Sequence, residues 1–125
     1  MFDEQEEKKK PENITDEDLR QTDMDIIYGQ FPPNYGELIE YFDANVLEEK
    51  KAIFCYGKSI YSPFNRKVTP DVEIHEEVHS KQQEACGNPE MWYYKYINDP
   101  EFRLEQEVEA YGTQYAFIKK YICGS

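Results

Sequence analysis

The chain has two histidines, and both fall in Val72–Gln83 (VEIHEEVHSKQQ), where His75-Glu76-Glu77-Val78-His79 spells HExxH. On a helix, side chains four apart share one face about one turn apart, so both imidazoles can reach a single metal ion, with Glu76 beside it. Neutral imidazole suits Zn²⁺, and a site with three protein ligands keeps one position open for water. The competing reading is a solvated helix face that carries two histidines by accident.

A third ligand must come from another element, and the long last helix offers several glutamates. At 100° per residue with Leu104 set to 0°, Val108, Tyr111, Tyr115, Ile118 and Ile122 cluster within about 40° and mark the expected core face. Glu105 and Glu109 fall at about 100° and 140°, toward solvent, while Glu107 falls at about 300°, on the flank of the apolar stripe with Gln114. A carboxylate held against an apolar face is costly unless paired or metal-bound, so Glu107 is the expected ligand. The alternative is a half-exposed glutamate that reaches water. Cys86, one or two turns beyond His79, is the remaining candidate for a fourth ligand.

The elements that position these groups can be read in order. Residues 1–24 are dominated by Glu, Asp, Lys and Gln and carry too few apolar side chains to offset the entropy of ordering them. They read as a flexible charged tail, with Thr15-Asp16-Glu17-Asp18 as a capping sequence for a short helix, and residues 25–125 read as one domain. Phe31-Pro32-Pro33-Asn34 is a rigid lead-in to an amphipathic helix on Tyr35, Leu38, Ile39 and Phe42, spaced i, i+3, i+4, i+7. Ala52–Tyr56 and Ser59–Ser62 are short β-rich runs joined by Gly57-Lys58, which predicts a hairpin ended by Pro63. Thr69 as N-cap, Pro70 at the first helical position, and Asp71 and Glu73 in the first turn start the motif helix, which Gly87 ends. Pro89 opens a short aromatic helix over Glu90–Ile97. Asp99-Pro100 opens the long one, Glu101 to about Tyr121. The fold class expected is α+β, a small antiparallel sheet packed on the motif helix and the long C-terminal helix.

Composition narrows the function classes. The 125 residues include 11 Tyr, 7 Phe and one Trp, enough for a small aromatic core, and no apolar run is long enough to span a bilayer. The start, MFDEQEEKKKPE, lacks the hydrophobic stretch of a secretory signal, which predicts a cytoplasmic protein. Three cysteines without CxxC spacing suggest free thiols rather than a disulfide framework. A formal net charge of -12 repels phosphate backbones and anionic lipid, so neither nucleic acid nor membrane is an expected partner.

His75-Glu76-Glu77-Val78-His79 followed by Glu107-Val108-Glu109-Ala110 resembles the gluzincin branch of zinc metallopeptidases, which share HExxH on one helix and a zinc-binding Glu in an ExxA-type segment on a later one. The longer pattern Ile60-Tyr61-Ser62-Pro63, HEEVHSKQQ and Asp99–Tyr111 (DPEFRLEQEVEAY) also resembles small metallopeptidase-like proteins of bacteriophages, which would place the protein in the cytoplasm of a bacterial host. Together these cover roughly residues 50 to 118. The resemblance implies a minimal zincin-like domain in which His75, His79 and Glu107 bind zinc and Glu76 is the catalytic carboxylate. Where many gluzincins place an Asp four residues after the ligand Glu, this chain has Tyr111. Orientation of His75 then falls to a backbone carbonyl or the Tyr111 hydroxyl.

On these roles the expected reaction is peptide-bond hydrolysis, Glu76 taking a proton from water and passing it to the leaving amine. Tyr61 and Tyr111 are the leading candidates for an oxyanion donor, against packing as the usual role of a tyrosine. The free edge of the hairpin can hold an extended peptide, and Gln82 and Gln83 can bond substrate or Glu107. Glu77 and Lys81 require a solvated helix face. The domain is too small for a second lobe, so a partner protein completing the cleft is a further expectation. The alternative class is a non-catalytic, zinc-stabilised interaction module. Keeping Glu76 favours the enzyme, because a structural site needs no general base.

Overall fold

The computed structural model describes residues 22–122. The charged segment before them, with the Thr15–Asp18 capping sequence, and Cys123 lie outside the described residues. The fold is α+β, with a three-stranded sheet and five α-helices among those residues.

Strands β2 (Phe54–Tyr56) and β3 (Ser59–Ser62) form the expected antiparallel hairpin, with Cys55 opposite Ile60 and Gly57 at φ +63 in the turn. The sheet is not purely antiparallel. Strand β1 (Asp25–Tyr28) lies parallel to β3, pairing Ile26 with Ile60, and the order is β1-β3-β2. Ordered packing also begins before residue 25. Met24 is 5% exposed within a cluster with Cys55, Ile60 and Val68, and the Thr22 hydroxyl donates to the Glu73 carboxylate.

The amphipathic helix expected from Tyr35 to Phe42 is a single turn, α1 (Tyr35–Leu38), which buries Leu38 and leaves Ile39 exposed. Asp43 ends that run by capping a second helix, α2 (Ala44–Glu49), its carboxylate accepting from Asn45 N at 2.8 Å. Pro-led caps then set the three main helices. Helix α3 (Pro70–Cys86) starts at Thr69, whose hydroxyl donates to Asp71 Oδ1 at 2.6 Å rather than capping a backbone N–H, and stops at Gly87, φ +119. Helix α4 (Pro89–Asn98) is capped by Asn88, and α5 (Pro100–Phe117) by Asp99, before a π-turn over Ile118–Ile122. No helix among the described residues is long and apolar enough to cross a membrane.

The inward face of α5 differs from the one expected. Leu104, Val108, Tyr111 and Tyr115 are 61 to 69% exposed, and the buried residues are Ala110 and Phe117. Polar side chains on the Ala110 side hold α5 to its neighbours. Gln106 Oε1 accepts from Trp92 Nε1 at 2.8 Å, Gln114 Nε2 donates to Asp71 Oδ2 at 2.8 Å, and Arg103 donates to Tyr96 O at 2.7 Å. Hydrophobic periodicity assumes an apolar interior, and here the helix interface is built from hydrogen bonds around the site.

Candidate metal centre

Helix α3 presents His75, Glu76 and His79 on its buried face, at 7, 6 and 5% exposure, while Glu77 and Lys81 pair at 3.7 Å on the solvated side. Helix α5 brings Glu107 against the histidines. His75 Nε2 and His79 Nε2 are 3.2 Å apart, and Glu107 Oε1 lies 3.2 Å from the first and 3.1 Å from the second. Tetrahedral zinc with bonds of about 2.0–2.1 Å separates its ligand atoms by roughly 3.3 Å, so the triangle is close to one face of a zinc coordination shell. His75, His79 and Glu107 are a group able to hold a metal ion. Cys86 packs instead beside Leu38, Trp92 and Tyr93.

The two histidines are held differently. Gln82 Nε2 donates to Gln106 O at 3.1 Å and Glu109 Oε1 at 2.7 Å, which turns Gln82 Oε1 to His79 Nδ1 at 2.8 Å. Nδ1 therefore carries a hydrogen, so a neutral His79 has its lone pair on Nε2 for a metal, while in the protonated ring Nε2–H donates to Glu107. His75 Nδ1 is buried with no hydrogen-bond partner. The Tyr111 hydroxyl does not serve it. Tyr111 meets His75 ring against ring, centroids 4.5 Å apart at 67°.

Charge in the site is divided between two carboxylates. Burial acts to raise the Glu107 pKa, but hydrogen bonds with His75 and His79 and from the Tyr96 hydroxyl hold it well below the usual carboxylate range. Burial acts to lower the His79 pKa, and its hydrogen bond to Glu107 reverses that and raises it. Glu76, fully buried with Oε2 4.0 Å from His75 Nε2, is pushed up to about 7 by desolvation against the pull of both histidines. One carboxylate is thus locked as an anion, and the other can exchange a proton near neutrality.

A cavity of about 390 Å³ opens over these groups, within the range of small-ligand and side-chain pockets. The metal group and Tyr111 form one wall, and Leu38, Phe42, Ile53 and Phe54 form an apolar one. Arg66, on the loop from β3 to α3, adds a cation that draws the Glu76 pKa downward. Tyr61 is not at the site. It points to the face of β3 opposite the buried Ile60 and Ser62 and does not line the cavity, although Phe54, its cross-strand partner on that face, does.

Neither expectation for Gln83 nor the free hairpin edge holds as stated. Gln83 is 1% exposed and clamps α3 to the hairpin, accepting from Gly57 N at 2.7 Å and donating to Cys55 O at 2.9 Å. Gln82 likewise serves His79 and not Glu107. On the hairpin, β3 is covered by β1, and the outer strand β2 has its Cys55 carbonyl taken by Gln83 and by the Tyr93 hydroxyl at 2.6 Å. The cavity is bordered by the lead-in and start of this strand, from Ala52 to Cys55.

Gln82, Tyr96 and Trp92 were not among the expected site residues in these roles. Gln82 was detectable, because its i+3 spacing from His79 places it on the same helical side. Tyr96 and Trp92, whose ring lies 5.2 Å from His79, come from a separate helix whose docking no local pattern encodes. Comparison with models of known protein families, with curated proteins and with solved structures gives no match to this chain.

Proposed function

We propose that this chain is a zinc-dependent, zincin-like peptidase. The observation that carries the reading is the set of three candidate ligand atoms 3.1 to 3.2 Å apart beside a buried carboxylate, Glu76. His75, His79 and Glu107 would hold the ion, and the donor set of two imidazoles and one carboxylate matches that of hydrolytic zinc sites. Bound zinc supplies Lewis acidity that makes water a nucleophile near neutral pH and polarises a carbonyl.

The remaining work belongs to the chain. Glu76 takes the proton from the attacking water and delivers it to the departing amine, a task suited to a buried carboxylate beside the histidines. Tyr111, on the cavity wall, offers its hydroxyl to the developing oxyanion. The apolar wall of Leu38, Phe42 and Phe54 favours a large apolar side chain next to the scissile bond. The strand edge at Ile53 offers backbone groups to an extended peptide.

Glu76→Gln tests the reading because it keeps side-chain shape and removes basicity. Zinc should stay bound at one ion per chain while cleavage of an unstructured protein substrate falls roughly 10²- to 10⁴-fold. His79→Ala should lose the metal and the activity together. Parent protein that binds no stoichiometric zinc would refute the proposal. Equal cleavage by parent and Glu76→Gln would instead favour a zinc-stabilised interaction module.

A further inference from the structure

The apolar residues of α5 that face solvent follow a repeat. Leu104, Val108, Tyr111 and Tyr115 are spaced 4-3-4, and Ile118 and Ile122 extend this as 3-4 into the π-turn. This is the a/d spacing of a coiled-coil seam, and it lies on the side of α5 turned away from Ala110 and Phe117. Five of the six are exposed, from 52% at Ile122 to 69% at Tyr115.

Charge is split along the same helix. Glu101, Glu105, Glu107 and Glu109 crowd its first half, Lys119 and Lys120 sit at its end, and no basic residue lies between Leu104 and Ile118. Glu105 and Lys119, the latter in the π-turn, are equally far in sequence from Gly112, which lies midway between them. Gly112 has no neighbour within 4 Å of where a Cβ would stand, so nothing inside the protomer requires glycine there. Glycine in mid-helix is unfavourable relative to alanine, and close approach of a second backbone gives it a use.

We infer that α5 is the seam of an antiparallel homodimer, two copies crossing at Gly112. A twofold axis level with Thr113, beside Gly112, places Leu104 against the partner's Ile122, Val108 against the partner's Ile118, and Tyr111 against the partner's Tyr115. Glu105 meets the partner's Lys119 on both sides of the axis. Antiparallel packing opposes the helix dipoles and sets acidic halves on basic ends, whereas a parallel pair would bring Glu105 beside its own copy. The stripe offers roughly 600 Å² per copy before its charged flanks are counted, against about 800 Å² per partner in a standard interface. Because Tyr111 belongs both to this seam and to the cavity wall, the second copy closes the side of the cleft that the small domain leaves open.

Sedimentation of the full chain at about 50 μM, with zinc content measured in parallel, tests this independently of any catalytic reading. The parent should sediment at twice 14.9 kDa, and Tyr115→Glu at 14.9 kDa with its zinc content and helical signal unchanged. Glu105→Lys and Lys119→Glu should each raise the dimer dissociation constant roughly five- to tenfold, and the double variant should restore it to within about threefold. A monomeric or higher-order parent, a dimeric Tyr115→Glu, or charge reversals that do not compensate would overturn the inference.

Discussion

His75 and His79 occupy one motif yet are controlled by different means. His79 has its tautomer set by an amide relay, Gln82 bonded to the α5 backbone at Gln106, whereas His75 is oriented by the Tyr111 ring. Gln82→Ala should therefore weaken zinc affinity about 10- to 100-fold in competition with a chelator while the fold persists; unchanged affinity would remove Gln82 from the site's support. That the two histidines meet was legible in the sequence because a four-residue spacing fixes a shared helical face. A helical wheel points to Glu107 although its apolar stripe faces outward, and the structure sets Glu107 beside the histidines because it lies at the border between that stripe and the buried polar face. Tyr61 shows the limit of such reasoning. A tyrosine's chemistry says nothing about which face of a strand it occupies.

At the scale of elements, the clearest signals were local ones. Pro70, Pro89 and Pro100 each start a helix with their fixed φ, Asn88 and Asp99 add side-chain caps where Thr69 does not, and Gly57 and Gly87 take the positive φ their turns need. The parallel strand β1 was not legible, since a four-residue run carries little pattern and its partner lies more than 30 residues away. Nor was the clamp between α3 and the hairpin. Gln83→Met keeps the side-chain volume but leaves Gly57 N–H without its acceptor. Cys55 O keeps Tyr93. An orphaned donor of this kind costs about 1–3 kcal/mol, and the melting temperature should drop by several degrees in thermal unfolding. A Gln83→Met protein as stable as the parent would show that the clamp contributes nothing.

Taken as a whole, the metal-free molecule concentrates its pH dependence in one cluster. Glu107, depressed, contributes stability above its ordinary 4.5 that is lost as pH falls further. His79, raised, contributes below its ordinary 6.5 and loses that contribution as pH rises through its folded value. Glu76, raised to about 7, favours the folded state most below 4.5 and progressively less as pH climbs through 7. Chelated protein should thus melt at a higher temperature near pH 6 than near pH 8. Zinc must displace protons to reach neutral imidazole, so the gain in melting temperature on adding zinc should be larger at pH 8 than at pH 6. Melting curves with and without metal across that range decide the matter, and chelated protein more stable at pH 8 would contradict it.

The doubly bonded Cys55 carbonyl has a consequence for how the molecule behaves in a crowd. An outer strand normally leaves a row of backbone groups on which other chains can stack into aggregates. Here the middle of β2 is already spoken for by Gln83 and Tyr93, and the opposite edge is a strand of four residues. An extended chain added at this edge would meet side chains where the next rung of a growing ladder would have to form.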